Sequence, residues 1–230
     1  MIVDILTLFP AMVTGVLGES ILGRAQREGR IKVRVTNLRT YATDKRATVD
    51  DAPFGGGAGM VLKPDVLARA IDDLRDAEAY VVLLTPQGTR FSQATARQFA
   101  EQQHLILICG HYEGVDERIR QAYIDCELSI GDFVLTNGNL AALVVVDSVC
   151  RLIPGVLGHD KSAETDSFGV EQRLDYPDYT RPASFAGFSV PDVLLSGNHQ
   201  AIREWRNTQS VIRTIARRPD LMINVSGEES

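Results

Sequence analysis

An α/β fold built on a parallel sheet is the class predicted for this 230-residue chain. Three observations predict it. Short apolar runs of strand length recur, stretches with helical spacing separate them, and three of the runs end in glycine-containing turns. Strands that alternate with helices build parallel sheets, because each parallel return needs a crossover.

The strand runs are Ile2–Leu8, Ile31–Val35, Tyr80–Leu84, Leu105–Cys109 and Leu128–Leu135, the first closing at Pro10. Between them, Met12–Gln26 carries apolar residues at helical spacing and stops near Gly29. Pro64–Leu74 begins with proline, which suits a first helical turn. Ser92–Gln102 opens on a serine able to cap a helix. Ala141–Leu152 is apolar nearly all round, as in a buried core or a subunit interface. After Pro154 the texture changes. Residues 155–173 are polar and broken by three glycines, which predicts a loop or mobile linker. From about Leu174 the chain reads as helical and arginine-rich, with helices at Gln200–Arg206 and Thr208–Arg217 and a frayed tail at Val225–Ser230. The expected organisation is a domain over 1–158, a linker over 159–173 and a small all-helical domain over 174–230.

Composition narrows the function. An apolar share of 44% is ordinary for a water-soluble domain with a real core. No run of about 18 apolar residues predicts a membrane span, and MIVDILTLFP lacks the basic start of a signal peptide. Cys109, Cys126 and Cys150 form no CxxC pair and fit free thiols in a reducing cytoplasm. His104, His111, His159 and His199 lack metal-ligand spacing, so no protein-bound metal site is expected. The net charge of −6 argues against coating nucleic acid by bulk attraction. A local basic stretch remains: Arg203, Arg206, Arg213, Arg217 and Arg218 stand against one acid, Glu204.

Chemistry concentrates where three strands end: in TPQG (85–88), in GHYEG (110–114) and in GDFVLTNG (131–138). Ligands of open α/β sheets bind at the carboxyl ends of strands, where glycines let backbone groups approach a flat ligand. The bland alternative is three ordinary turns. FGGGAGM (54–60) lacks both a GK[ST] and a Rossmann spacing, and reads as a flexible loop beside Asp50 and Asp51. It is either a solvated acidic turn or a loop that folds over substrate. Glu113, followed by Gly114, has no helix to support and would attract a cationic ligand. Glu164 and Asp166 in the linker read from composition alone as solvated acids, and Arg151 as a surface residue.

Together these segments resemble one family. LTLFP (6–10), TVDDAPFGGGAGM (48–60), LTPQG (84–88), CGHYEGVDER (109–118), SIGDFVLTNG (129–138), RLIPGVLG (151–158), DSF (166–168), YTRP (179–182), VPDVLLSGNH (190–199) and ARRPDL (216–221) follow, in order, the blocks of the bacterial tRNA (guanine-N1)-methyltransferases known as TrmD. The resemblance covers nearly the whole chain. It implies a SPOUT-type α/β fold with a deep trefoil knot, an obligate homodimer with shared active sites, and a cytoplasmic enzyme. It implies methyl transfer from S-adenosylmethionine to N1 of guanosine 37, the nucleotide 3′ of the tRNA anticodon, with Mg²⁺ as a further cofactor. The implied cofactor residues are Pro86, Gly110, Tyr112, Glu113, Gly114, Ile130, Gly131, Asp132, Phe133, Val134, Leu135 and Gly138. The implied catalytic pair is Asp166, as general base, with Arg151. The implied RNA contacts are Asp50 at the guanine and Arg213, Arg217 and Arg218 as a phosphate clamp on the anticodon stem-loop.

Several positions depart from the family's usual residues: Ala58 for proline, His111 for arginine, and Asn137, Asn139 and Ala141 within a loop that commonly reads GGE(L)P. A charge is thereby lost at 139. Two other readings stay open on sequence: a knotted relative that methylates a ribose 2′-hydroxyl, and a non-catalytic RNA-binding relative.

Overall fold

The computed structural model describes residues 1–158 and 166–223 and divides into two compact units, Met1–Gly158 and His159–Ser230. Glu164, with residues 159–165 of the expected linker, and the tail at Val225–Ser230 lie outside the described residues.

The first unit is a five-stranded parallel sheet. In chain order it contains β1 (Ile2–Thr7), α1 (Ala11–Leu17), α2 (Ser20–Arg27), β2 (Lys32–Asn37), the short β3 (Asp50–Asp51) and β4 (Val61–Leu62), and α3 (Pro64–Leu74). There follow β5 (Ala79–Arg90), α4 (Gln93–Ala100), β6 (His104–Cys109), α5 (Glu117–Tyr123), β7 (Cys126–Ser129) and α6 (Asn139–Cys150). The sheet order is β2-β1-β6-β5-β7, and β3 and β4 form a separate antiparallel pair.

Both faces of the sheet are covered, so its central strand is apolar throughout: every residue of β6 is buried. The period of two sorts the side chains. Val3, Ile5, Leu105, Leu107 and Cys109 pack with α1, α2, α4 and α6. Leu6, Ile106 and Ile108 pack with α3 and α5 on the other face. Asp4 on β1 breaks the apolar rule. It is fully buried and is held by the Arg34 guanidinium and by Nε2 of His104 at 2.6 Å.

Two expectations for this unit are corrected. Met12–Gln26 is two helices, because Gly18 and the extended Glu19 end the first and let the second turn back on it. The last strand stops at Ser129 instead of Leu135. There the Ser129 hydroxyl donates to the Gly131 carbonyl (3.0 Å) and accepts from its N–H (3.3 Å), turning the chain off the sheet edge.

In β5, Leu128 of β7 aligns first with Leu84 and then with Thr89, so residues 85–88 form an excursion between two paired stretches. A Cβ on Gly88 would lie 2.3 Å from the Leu128 nitrogen. Only glycine admits that crossing of two backbones.

The second unit contains the hairpin β8 (Ser184–Phe185) and β9 (Phe188–Ser189), then α7 (Asp192–Leu195), α8 (His199–Arg217) and α9 (Asp220–Ile223). The hairpin corrects the all-helical expectation; Ala186 and Gly187 supply its two positive-φ turn residues. The two helices expected at 200–217 are one. Asn207 does not interrupt it, and Asn198 caps it by accepting from the N–H groups of Gln200 and Ala201. The segment before the hairpin is strapped to α8. The Ser210 hydroxyl donates to the Leu174 carbonyl (2.6 Å), and the Leu174 N–H donates to the buried Thr214 hydroxyl (3.0 Å).

Candidate active site

The three glycine-bearing loops meet at one cavity of about 430 Å³, at the carboxyl ends of β5, β6 and β7. A ligand the size of a nucleoside derivative fits that range. The loops are tied to one another: the Gly138 N–H donates to the Gly110 carbonyl (2.9 Å). A Cβ on Gly138 would stand 2.7 Å from the Cys109 Cα, so α6 starts directly against the end of β6. Leu84, Leu128, Leu135 and Ala141 give the cavity apolar walls, while Thr85–Gln87, Gly110–Gly114 and Ile130–Gly131 bring backbone polar groups to it.

The lining includes Pro86, Gly110, Tyr112, Glu113, Gly114, Ile130, Gly131, Phe133, Val134, Leu135 and Gly138. Asp132 is not on it; this exposed carboxylate turns outward to an ion pair with Arg90. Tyr112 holds φ +57 and Gly114 φ +126, so the GHYEG loop carries a non-glycine residue in a sparsely populated region. Such strain persists where surrounding contacts fix it. Here the Gly114 N–H donates to the His111 carbonyl (3.1 Å) and the Glu113 N–H to the Met60 carbonyl (3.0 Å).

Glu113 is the acid of the lining and is paired with no cation among the described residues. Arg120 also reaches the lining, and sequence reasoning missed it. The hydrogen bond it donates to Glu127 (2.6 Å), above all, keeps its guanidinium charged; Glu117 at 2.9 Å adds to this. Arg120 lies one turn into α5. The cavity therefore presents Glu113 with its positive neighbour already neutralised, a setting that favours a cationic ligand.

The departures from the family have local explanations. Asn139 is buried and points away from the lining. Its Oδ1 accepts from the Thr7 hydroxyl (2.6 Å), and its own N–H donates to Asn137 Oδ1 (3.0 Å). The residue at 139 thus fixes α6 to β1. His111 lines the cavity between the rings of Phe9 (5.1 Å) and Tyr112 (4.5 Å, edge-on). Ala58 is exposed in its loop.

Asp50 is half-buried on β3. Arg151 caps the end of α6. Asp166 opens a tight turn in the second unit: its carbonyl accepts from the Gly169 N–H (2.8 Å), and Phe168 N–H donates to the Arg173 carbonyl (2.8 Å). The Ser167 hydroxyl accepts from Asp175 N–H (2.9 Å), and the Asp175 carboxyl is raised by burial first, then by the nearby Asp178 and Asp166 carboxylates. Arg217 is exposed on α8 and Arg213 half-exposed, whereas Arg218 is clasped by Asp220 at 2.6 Å and lies 5.7 Å from the Phe168 ring. Among the described residues no group of three or more His, Cys, Asp or Glu side chains is arranged to hold a metal. Nor is any helix among them long and apolar enough to cross a membrane.

Comparison with known proteins identifies the family. The family model described as tRNA (Guanine-1)-methyltransferase TrmD matches residues 1–224. The chain belongs to the TrmD family. Among curated relatives, a tRNA (guanine-N(1)-)-methyltransferase of Geobacillus kaustophilus is 55% identical over 222 residues, covering 96% of this chain and 91% of that protein. Its counterpart in Moorella thermoacetica is 53% identical over 233 residues, covering 99% and 93%. As a TrmD-family member this chain is an enzyme, a tRNA-modifying methyltransferase, and its catalysis requires a methyl donor beside an RNA guanine.

Proposed function

We propose that this TrmD-family enzyme transfers a methyl group from S-adenosylmethionine to N1 of guanosine 37, 3′ of the tRNA anticodon, giving m1G37. The observation that carries the reading is the cavity at the ends of β5, β6 and β7. Its backbone-rich loops suit the adenosine part, its apolar walls the thioether chain, and Glu113 the positive sulfonium. When bound, the donor supplies an electrophilic methyl whose carbon–sulfur bond breaks as the new bond forms, leaving a neutral thioether.

The protein's own task is to make N1 a nucleophile. The Asp166 carboxylate takes the N1 proton as general base, and the freed lone pair attacks the methyl carbon. Arg151 stabilises the negative charge that develops on O6. Asp50 contacts the guanine. Asp166 lies on a turn built against α8, so the helix that carries the arginines also positions the base. Mg²⁺ has no donor cluster among the described residues, and no step here is routed through it.

Four further parts complete the reading. The close passage of residues 85–88 over β7 fits a threaded, knotted chain. Met12 and Val16 on α1, with Leu140 and Val144 on the adjacent α6, form an exposed apolar face suited to a homodimer. The exposed arginines of α8 suit phosphates of the anticodon stem-loop, and an enzyme acting on tRNA belongs in the cytoplasm.

The deciding experiment is methyl transfer to unmodified tRNA transcripts, followed by nuclease digestion and mass spectrometry. Methyl on guanine N1 at position 37 is expected. Methyl on a ribose oxygen, or none at all, rejects the reading.

A further inference from the structure

Among the described residues, Phe54 is the most exposed large apolar side chain, with its whole surface in water. It leads the glycine loop. Around Gly55, Gly56 and Gly57 an added Cβ would meet nothing within 4 Å, so the loop's backbone is open to a flat partner. The far end of the loop is anchored to the cavity wall. Met60 accepts from the Glu113 N–H (3.0 Å), and Gly59 lies under the Glu113 side chain, where a Cβ would be 2.3 Å from its Oε1. Beyond it, Leu62 N–H donates to the Gly114 carbonyl (3.0 Å) and Asp116 N–H to the Leu62 carbonyl (3.2 Å). The loop that Phe54 leads is thus tied at its far end to Glu113 and Gly114 of the pocket lining.

We infer that Phe54 is a stacking platform for an unpaired RNA base next to the target guanine, and so positions the substrate for methyl transfer. The inference rests on the tRNA-methyltransferase reading above. The surroundings argue for a base face over a phosphate or a lipid headgroup. The charged groups nearest in sequence are Asp50 and Asp51, and Glu113 borders the loop's anchor. These carboxylates repel anionic groups, whereas stacking on a ring needs no charge and tolerates any base. A guanine brought to a methyl donor inside the cavity leaves its unpaired neighbours outside it, and the loop anchored at Glu113 carries the ring to meet one of them.

The test is steady-state kinetics on tRNA at saturating S-adenosylmethionine, with Phe54→Ala, Phe54→Leu and Phe54→Trp. Phe54→Ala should raise the tRNA KM about 5- to 150-fold, the span of base–aromatic stacking, with donor affinity and Tm unchanged. Phe54→Trp should restore the wild-type KM and Phe54→Leu should not. In parallel, 2-aminopurine replaces the nucleotide on either side of the target guanine. Its fluorescence should be quenched on binding wild type and Phe54→Trp, and not on binding Phe54→Ala. An unchanged KM with unchanged quenching overturns the inference. So does full activity of Phe54→Leu, or a Phe54→Ala variant that sediments as a smaller species, which would make the ring a subunit contact. A wild-type enzyme that binds tRNA without methylating N1 would defeat the functional reading alone, since the fluorescence would still decide the role of the ring.

Discussion

Gly88 and Leu128 touch backbone to backbone: a methyl group on Gly88 would lie 2.3 Å from the Leu128 nitrogen and 2.4 Å from the carbonyl carbon of Glu127. Neither neighbour is the free end of a side chain, so the clash is relieved only by parting β5 from β7. Gly88→Ala is therefore expected to cost about 3 kcal/mol or more, lowering Tm and soluble yield. Gly15→Ala, within α1 and with nothing within 4 Å of the added carbon, is the control. It should stabilise by up to about 1 kcal/mol through helix propensity. Denaturant unfolding of the two variants measures the contrast, and a Gly88→Ala protein as stable as wild type would refute the crossing.

The strands were legible because buried parallel strands are continuous apolar runs, as in HLILIC (104–109). Boundaries failed where a side chain overrides the apolar pattern. Ser129 turns the chain while Ile130 to Leu135 still reads apolar. The Met12–Gln26 periodicity runs through Gly18 because both helices bury residues on the same cluster. β3 and β4 are two residues each, too short for any period. At the cavity the glycine turns marked three loops. Asp132 read as one of them by continuity, yet the strained backbone around Gly131 sends its side chain out to Arg90. Arg120 was invisible because its place on the lining depends on α5 packing, not on a motif.

Gly138 sits at the first turn of α6 against the end of β6, and an added Cβ would be 2.7 Å from Cys109 Cα and 3.0 Å from Gly110 N. Gly138→Ala must push the α6 start outward and open the Gly138–Gly110 hydrogen bond that joins two loops of the cavity. Donor affinity should fall at least about ten-fold, equivalent to about 1.4 kcal/mol, with a smaller loss in Tm than Gly88→Ala. Calorimetric titration with S-adenosylmethionine checks it, and unaltered affinity would separate this loop from donor binding.

Acid should destabilise the first unit. The His104 ring, whose Nδ1 stands 3.0 Å from Asp76 Oδ2, is the leading influence that holds the Asp76 carboxyl below the usual carboxylate range, and the hydrogen bond from Arg118 does the same for Asp116. For an acid whose folded pKa is depressed, the stabilisation is present above the unfolded value, about 3.9, and is lost as pH falls through the folded value. Asp175 has the opposite sign: its raised carboxyl weakens the second unit at neutral pH. Melting curves from pH 7 to pH 3 should show a loss concentrated below about pH 4, and Asp76→Asn should be flatter there than wild type. An equal acid loss in both proteins would remove Asp76 from the account.

Asp166→Ala tests the proposed base. The turn that carries it is held by main-chain bonds and by Ser167, so truncation should leave the second unit folded. Methyl transfer should fall by about 10²- to 10⁴-fold, the contribution of a general base, with donor affinity unchanged. Asp166→Asn should be equally slow, since an amide cannot take the N1 proton. Single-turnover rates measure this, and a fast Asp166→Asn enzyme would place the base elsewhere.

The arginines at the end of α8 are not equivalent. Arg218 is clasped by Asp220, which raises its pKa mainly through their hydrogen bond, and it faces the Phe168 ring, so part of its charge is already answered. Arg217 is exposed and Arg213 half-buried. If these side chains meet phosphates, each one lost releases fewer counterions, and the slope of log K against log salt falls by about 0.7 to 0.9 per contact. Arg213→Ala with Arg217→Ala should therefore weaken tRNA binding and flatten the salt dependence by about 1.4 to 1.8 in slope. Arg218→Ala alone should change the slope much less. Binding isotherms from low to moderate salt decide it: a slope unaltered in the double variant removes the phosphate clamp from α8, while a large drop from Arg218→Ala would show that RNA displaces Asp220 and takes that arginine as its main contact.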